Sequence, residues 1–494
     1  MPNAAIPKFV LMQPDRWTCN NYIGSWVRAT SSVDATDKAT GETIGTIADA
    51  SIAEVDDACV NAHTAAIDWR NVSATERAKI VRRAGELLIE FKEEAIFWLI
   101  RETGSTRYKA EFEISITKDY FDHAADLLAE PWCTVVKDDA ETLSYYERRP
   151  LGLVAVIGPF NWPLVLALRA VAPALACGNS VVLKPSLNTA ISGGLLLARL
   201  FEQAGLPPGV LNVVPGGGEA GEALSRNENV SMIAFTGSTG VGRGIGSSAG
   251  GQLKRFSLEL GGKNPFVVLE DADIELAARA GAFGNFFHQG QICIAVGLHI
   301  VHEKVAEAYS ARLAELANAL KVGDPWLEQV ALGPVISERQ RDKMHQMVED
   351  AKAQGARVLE GGVFDGLFYR PTVVVDLLPS ARLVKEEIFG PIAPILTFKT
   401  DEEALRLANA SGYGLAASVF GETDHARTFA RGVVSGMVHV NDQPVKVDTN
   451  APFGGVKASG NGTRIGTYRD LDEFTNLRWV TEMKQIPSYD LTNG

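Results

Sequence analysis

Between Gly152 and Leu260 the chain alternates short apolar runs with amphipathic ones, and this alternation restricts the possible folds more than any other feature. Residues 153–157, 180–184, 209–214, 231–235 and 256–260 read as strands. Residues 163–176, 189–204, 219–226 and 239–249 read as the helices between them. Strands separated by one helix each pair in parallel through right-handed crossovers. The expectation is an α/β fold built on a doubly wound parallel sheet of the nucleotide-binding type, whose ligands sit at the carboxyl ends of the strands. The apolar stretch 151–183 is long enough to raise the question of a membrane span. Pro159, Asn161, Pro163, Arg169, Pro173 and Asn179 interrupt it, and a buried strand-helix-strand unit explains it better.

Three stretches carry residue types suited to acyl chemistry. Residues 281–297 hold one thiol, Cys293, among small and apolar residues, with Gly284, Gly290 and Gly297 allowing sharp turns. A nucleophile on a turn, with its own N–H aimed at the reacting group, is one reading; a buried core cysteine is the plainer one. Glu259 stands between Leu258 and Leu260, which should raise its pKa toward a general base's range, although a Glu at a strand end commonly faces water. Asn161 offers an amide donor in the stiff segment Gly158-Pro-Phe-Asn-Trp-Pro163, or is simply a turn residue.

Together and in this order, the three stretches resemble the nucleophile, general-base and oxyanion motifs of the aldehyde dehydrogenase superfamily over nearly the whole chain. Similarity to its benzaldehyde-oxidising branch rests on His288-Gln-Gly-Gln-Ile-Cys293, Lys184-Pro-Ser-Leu187 and His439-Val-Asn-Asp-Gln-Pro444. The resemblance implies that Cys293 attacks the aldehyde, Asn161 and the Cys293 N–H hold the oxyanion, and Glu259 activates water against the thioester. It implies a cofactor site with Phe235, Thr236, Gly237, Ser238 and Val241 at the pyrophosphate turn. Lys184, Ser186 and Leu187 fall at the adenosine ribose, and Glu387 and Phe389 at the nicotinamide. Ile157, Phe160, Gly217, Gly221 and Leu260 complete that wall. Leu187 stands where many NAD-specific relatives carry Glu, so NAD is the first expectation and NADP stays open. Trp162, Phe287 and Phe453 match the substrate tunnel and suit a flat aryl aldehyde. Arg169 reaches either a polar ring substituent or a neighbouring subunit.

The resemblance divides the chain into an NAD(P)-binding domain (1–130 and 150–259), a catalytic domain (260–465) and an oligomerisation arm (131–149 and 466–494). A homodimer or homotetramer is implied. The alternating pattern at 132–149 independently reads as an exposed hairpin. An aliphatic or semialdehyde substrate, a CoA-acylating activity and a catalytically idle dinucleotide-binding scaffold remain alternatives.

Composition removes other classes. The 494 residues exceed one core, and the 46% hydrophobic and 22% charged content is that of a soluble globular protein. A net charge of −13 argues against a nucleic-acid partner. The five cysteines are scattered, without metal-ligand spacing, which points to reduced thiols, no bound metal and a cytoplasmic setting. The N-terminus lacks the basic and apolar pattern of a leader.

Overall fold

The computed structural model describes residues 9–487 and Tyr489. Residues 1–8, read for a leader, and residues 488 and 490–494 of the expected arm lie outside the described residues.

Two seven-stranded sheets dominate the molecule. The first runs, edge to edge, Arg255–Glu259, Val230–Thr236, Leu153–Ile157, Ser180–Lys184, Leu211–Val213, Asn20–Ile23 and Trp26–Arg28. Its first five strands are parallel, and the two N-terminal strands are antiparallel to their neighbours. The chain starts the parallel part at its centre with Leu153–Ile157, winds outward through Ser180–Lys184, then returns to the other side with Val230–Thr236. The winding therefore reverses between the strands ending at Ile157 and Thr236, where a doubly wound sheet opens a crevice. The apolar stretch questioned as a membrane span is the central strand, the buried helix Pro163–Ala176 and the next strand. Among the described residues, no helix is long and apolar enough to cross a membrane.

The second sheet runs Arg357–Glu360, Thr372–Val375, Ile392–Phe398, Val296–His302, Asn264–Val268, Ala416–Phe420 and Met437–Val440, parallel except for its first pair. Three of these strands, at 372–375, 392–398 and 416–420, were not anticipated. Short apolar runs carry no periodicity that separates strand from buried helix. The chain crosses from one sheet to the other in Leu260-Gly-Gly-Lys263, so Glu259 ends a strand of the first and Asn264 begins a strand of the second. Cys133–Asp138, Thr142–Pro150 and Thr475–Met483 form a separate antiparallel sheet.

Two stretches of helix are irregular. Residues 74–103 form two helices, Ala74–Glu90 and Lys92–Thr103, broken at Phe91. The helix expected at 189–204 opens with a wide π-type turn over Ile191–Leu195. The buried carboxylate of Glu102 accepts from Ile191 N (3.0 Å) and Ser192 N (2.6 Å) there, satisfying donors a helix start leaves orphaned.

Candidate active site

Cys293 follows a tight reversal after the helix Ile274–Phe286. His288, Gln289 and Gly290 are successive left-handed residues (φ 50°, 56° and 65°). Such backbone persists only where surrounding groups fix it. Gln289 Nε2 donates to the carbonyls of Gly104 (2.7 Å) and Pro334 (3.2 Å), and Ile336 N donates to Gln291 Oε1 (3.0 Å). A Cβ on Gly290 would lie 2.4 Å from the Gly390 carbonyl oxygen, so this turn admits no side chain. Asn264 Nδ2 donates to the Cys293 carbonyl at 2.8 Å, and the chain crossing beside it is so close that a Cβ on Gly262 would meet that oxygen at 2.5 Å. The half-buried thiol is pushed up to about 12 by burial, with Arg169 opposing and Glu259 and Glu387 adding to the shift.

Asn161 is tied to the same turn. Its Nδ2 donates to the Gln291 carbonyl at 2.9 Å, leaving one amide hydrogen. Its own carbonyl accepts from Lys109 Nζ (2.9 Å) and from His288 (2.8 Å). With a carbonyl as partner, that imidazole must carry its hydrogen on Nε2, and burial together with the Lys109 charge keeps the ring neutral.

Glu259 is 3% exposed, and neither carboxylate oxygen has a hydrogen-bond partner among the described residues. Burial pushes its pKa up to about 7, against the opposing pull of Arg169 and Arg464. Glu259, Asn161 and Cys293 all line one cleft of about 1170 Å³ at the reversal of the first sheet.

All fifteen residues expected at the cofactor line this cleft. The turn Thr236-Gly-Ser238 leads into the helix Thr239–Gly251. Ser238 occupies the capping position but makes no side-chain cap, and Thr239 Oγ1 donates to the Ala458 carbonyl (3.1 Å). The first N–H groups of that helix are thus left for a ligand. Lys184 Nζ donates to Gly216 O (2.6 Å), and burial lowers its pKa to about 8. Glu387 accepts from Gly262 N (3.0 Å), and the rings of Phe160 and Phe389 meet edge to face at 5.7 Å.

The four residues expected at the substrate lie outside the cleft's lining, in the aromatic layer behind it. Trp162 and Phe287 meet edge to face at 6.1 Å, and the cluster containing them and Phe453 packs against Cys293. Arg169, expected at a ring substituent or a subunit boundary, is 2% exposed. Its guanidinium stacks on Phe453 (4.8 Å) and donates to Thr236 Oγ1 (3.3 Å). Burial inside its own subunit removes it from any subunit boundary. Sequence reasoning missed Tyr108, Phe112, Lys109 and Glu113. The first two rings extend the aromatic layer, and the latter two support Asn161. Their i, i+4 spacing on one helix was the available signal.

Comparison with known proteins bears on all of this. The model of the aldehyde dehydrogenase family matches residues 26–480. The chain is 45% identical to a vanillin dehydrogenase of Amycolatopsis sp. over 97% of its length and 99% of that protein. It is 44% identical to the NAD(+) benzaldehyde dehydrogenase of Pseudomonas putida, covering 96% and 98%. Among solved structures, betaine aldehyde dehydrogenase of Staphylococcus aureus in complex with NAD+ superposes with a TM-score of 0.93 at 30% identity, over 97% of each chain. PnpE of Pseudomonas sp. gives 0.91 at 34% identity, over 96% and 99%. With a fold, a chain-long sequence match and these relatives in agreement, the chain belongs to the aldehyde dehydrogenase family.

Proposed function

We propose that this enzyme oxidises aromatic aldehydes to carboxylic acids with NAD+, through a thiohemiacetal and a thioester on Cys293. One observation carries the reading: a buried carboxylate without partners, a half-buried thiol and a spare amide hydrogen line the same cleft. The vanillin and benzaldehyde dehydrogenases among its relatives support an aryl substrate.

The residues present fit a dinucleotide. The uncapped N-terminus of Thr239–Gly251 and the turn Thr236-Gly-Ser238 suit the pyrophosphate. Lys184 and Ser186 would hold one ribose and Glu387 the other, with Phe160 and Phe389 flanking the nicotinamide. Ile157, Gly217, Gly221, Phe235, Val241 and Leu260 shape the wall. Leu187 presents no carboxylate to a ribose 2′ position, which leaves NADP admissible. When bound, the nicotinamide supplies the hydride acceptor.

In the chain's own chemistry, Cys293 Sγ bonds to the carbonyl carbon while the thiol proton passes to water in the cleft. With its pKa near 12, the thiol is protonated at neutral pH, so that proton must move as the bond forms. The remaining Asn161 Nδ2 hydrogen and the Cys293 N–H hold the oxyanion, each such donor being worth about 10²–10³ in rate. Loss of hydride leaves the thioester. Glu259, as carboxylate, takes a proton from the attacking water; the C–S bond breaks and the acid departs. Residues 1–130 and 150–259 serve the cofactor, 260–465 carry the nucleophile, and 131–149 with 466–494 join subunits into a dimer or tetramer in the cytoplasm.

An aldehyde panel with NAD and NADP tests this. Benzaldehydes should exceed hexanal and succinic semialdehyde in kcat/KM by on the order of tenfold or more. Higher values for the aliphatic substrates would overturn the aryl assignment. Cys293→Ala should form no NADH while still binding NAD.

A further inference from the structure

Arg169 and Glu259 are both buried, and both are short of partners. The Nε of Arg169 has no hydrogen-bond partner among the described residues, nor does either oxygen of Glu259. No carboxylate stands within ion-pair distance of Arg169 among the described residues; its contacts are Thr236 Oγ1 at 3.3 Å and the face of Phe453. A buried charge without a pair is costly, so an arrangement that satisfies both groups at once is strongly favoured. The two residues line one small pocket beside the main cleft, together with Thr236, Ser257 and Ile465. Its volume of about 10 Å³ is room for one water. A water there would accept from Arg169 Nε–H and donate to the Glu259 carboxylate. Glu259 also lines the main cleft, so it stands between the small pocket and the reacting thiol.

We infer that Arg169 is a positioning residue that holds Glu259 as a carboxylate across this one-water cavity, ready to take the proton of the deacylating water. The inference rests on the reading of Glu259 as general base. Other groups face the pair. Arg464, from the loop after the second sheet, also favours the carboxylate, while Glu473, from the helix Arg469–Phe474, opposes it. Cys293 and Tyr120 face Glu259 as weak acids. Asp470 faces Arg169 but bonds to His123 (3.0 Å). Arg464 is engaged by the carbonyls of Gly455 and Thr463, which leaves Arg169 as the cation sharing Glu259's cavity.

The test is the pH dependence of deacylation, read by single-turnover hydrolysis of the acyl-enzyme, for the parent, Arg169→Met, Arg169→Lys and Glu259→Gln. Arg169→Met should move the acidic limb upward by about one pH unit, with NAD affinity unchanged, and Arg169→Lys should return it toward the parent. If Arg169→Met does not fold, Arg169→Gln, which keeps a donor without the charge, is read the same way. A rate lowered equally at every pH, with the limb unmoved, overturns the inference. So does a change confined to KM for hydroxybenzaldehydes, which would make Arg169 a substrate contact. Glu259→Gln separates the two levels. Loss of the limb in that variant supports the base reading and leaves only Arg169 at stake, whereas a limb that persists removes both.

Discussion

Glu259 sits in a place that opposes its ionisation, and the reaction proposed for it needs that place. The flanking leucines pointed to a raised pKa, and burial does push it up to about 7. A folded-state pKa above the unfolded value of about 4.3 means that folding favours the protonated form. Its favourable contribution is full below about pH 4.3 and is lost as pH rises through about 7. Above that, the ionised carboxylate costs up to about 4 kcal/mol. Glu259→Gln should therefore raise the apparent Tm most at pH 8, less at pH 5, and leave it nearly unchanged only below about pH 4, while deacylation slows. Differential scanning calorimetry at both pH values checks this, and an equal shift at the two would mean that the carboxylate is not ionised there. The sequence conveyed the type of Glu259 but not the depth of Arg169. Helical spacing assigns a residue to a face, while burial is decided by what that face packs against, here Phe453 from far along the chain.

At the level of elements, Asn161 depends on the helix Arg107–Asp126. Lys109 and Glu113, fully buried, form an ion pair at 2.5 Å one turn apart. Lys109 donates to the Asn161 carbonyl, and Glu113 Oε1 accepts from Leu164 N (2.9 Å) and Val165 N (3.2 Å), the first orphan donors of the next helix. Removing one partner leaves a buried charge uncompensated. Glu113→Ala should cost about 3–5 kcal/mol, read as a lower denaturation midpoint, with Glu113→Gln costing less. Lys109→Met, close in length but apolar, should lower the denaturation midpoint by stranding Glu113, and should lower kcat more than it raises KM because it frees the Asn161 loop while filling the space over the Trp162 ring. A variant with unchanged kcat would mean that His288 alone fixes the loop. Such ties were illegible beforehand because a buried pair and an exposed i, i+4 pair have the same spacing. The alternation at 152–260, by contrast, gave every strand of the parallel core, since each was bounded by a helix with its own period.

For the molecule as a whole, the three-stranded sheet is the part on which the proposed assembly rests. The strand Cys133–Asp138 is exposed along its length, and with Thr475–Met483 it leaves both edges of the sheet unpaired among the described residues. Open edges invite pairing with another chain. Val136 is 62% exposed at a bulge, Leu477 59% and Trp479 72%, more apolar surface than a lone subunit gains by showing to water. With a net charge of −13, like subunits repel at long range, so the proposed assembly would draw on this apolar and backbone surface. Salt at about 1 M screens the repulsion and leaves apolar burial intact, so the oligomer should persist there. Leu477→Glu with Trp479→Glu should instead reduce the mass measured by light scattering toward that of one subunit. Cys293 and Glu259 lie on other elements, so each released subunit should retain its thiol's reactivity toward iodoacetamide. An unchanged mass in the double variant would move the subunit contact away from this sheet.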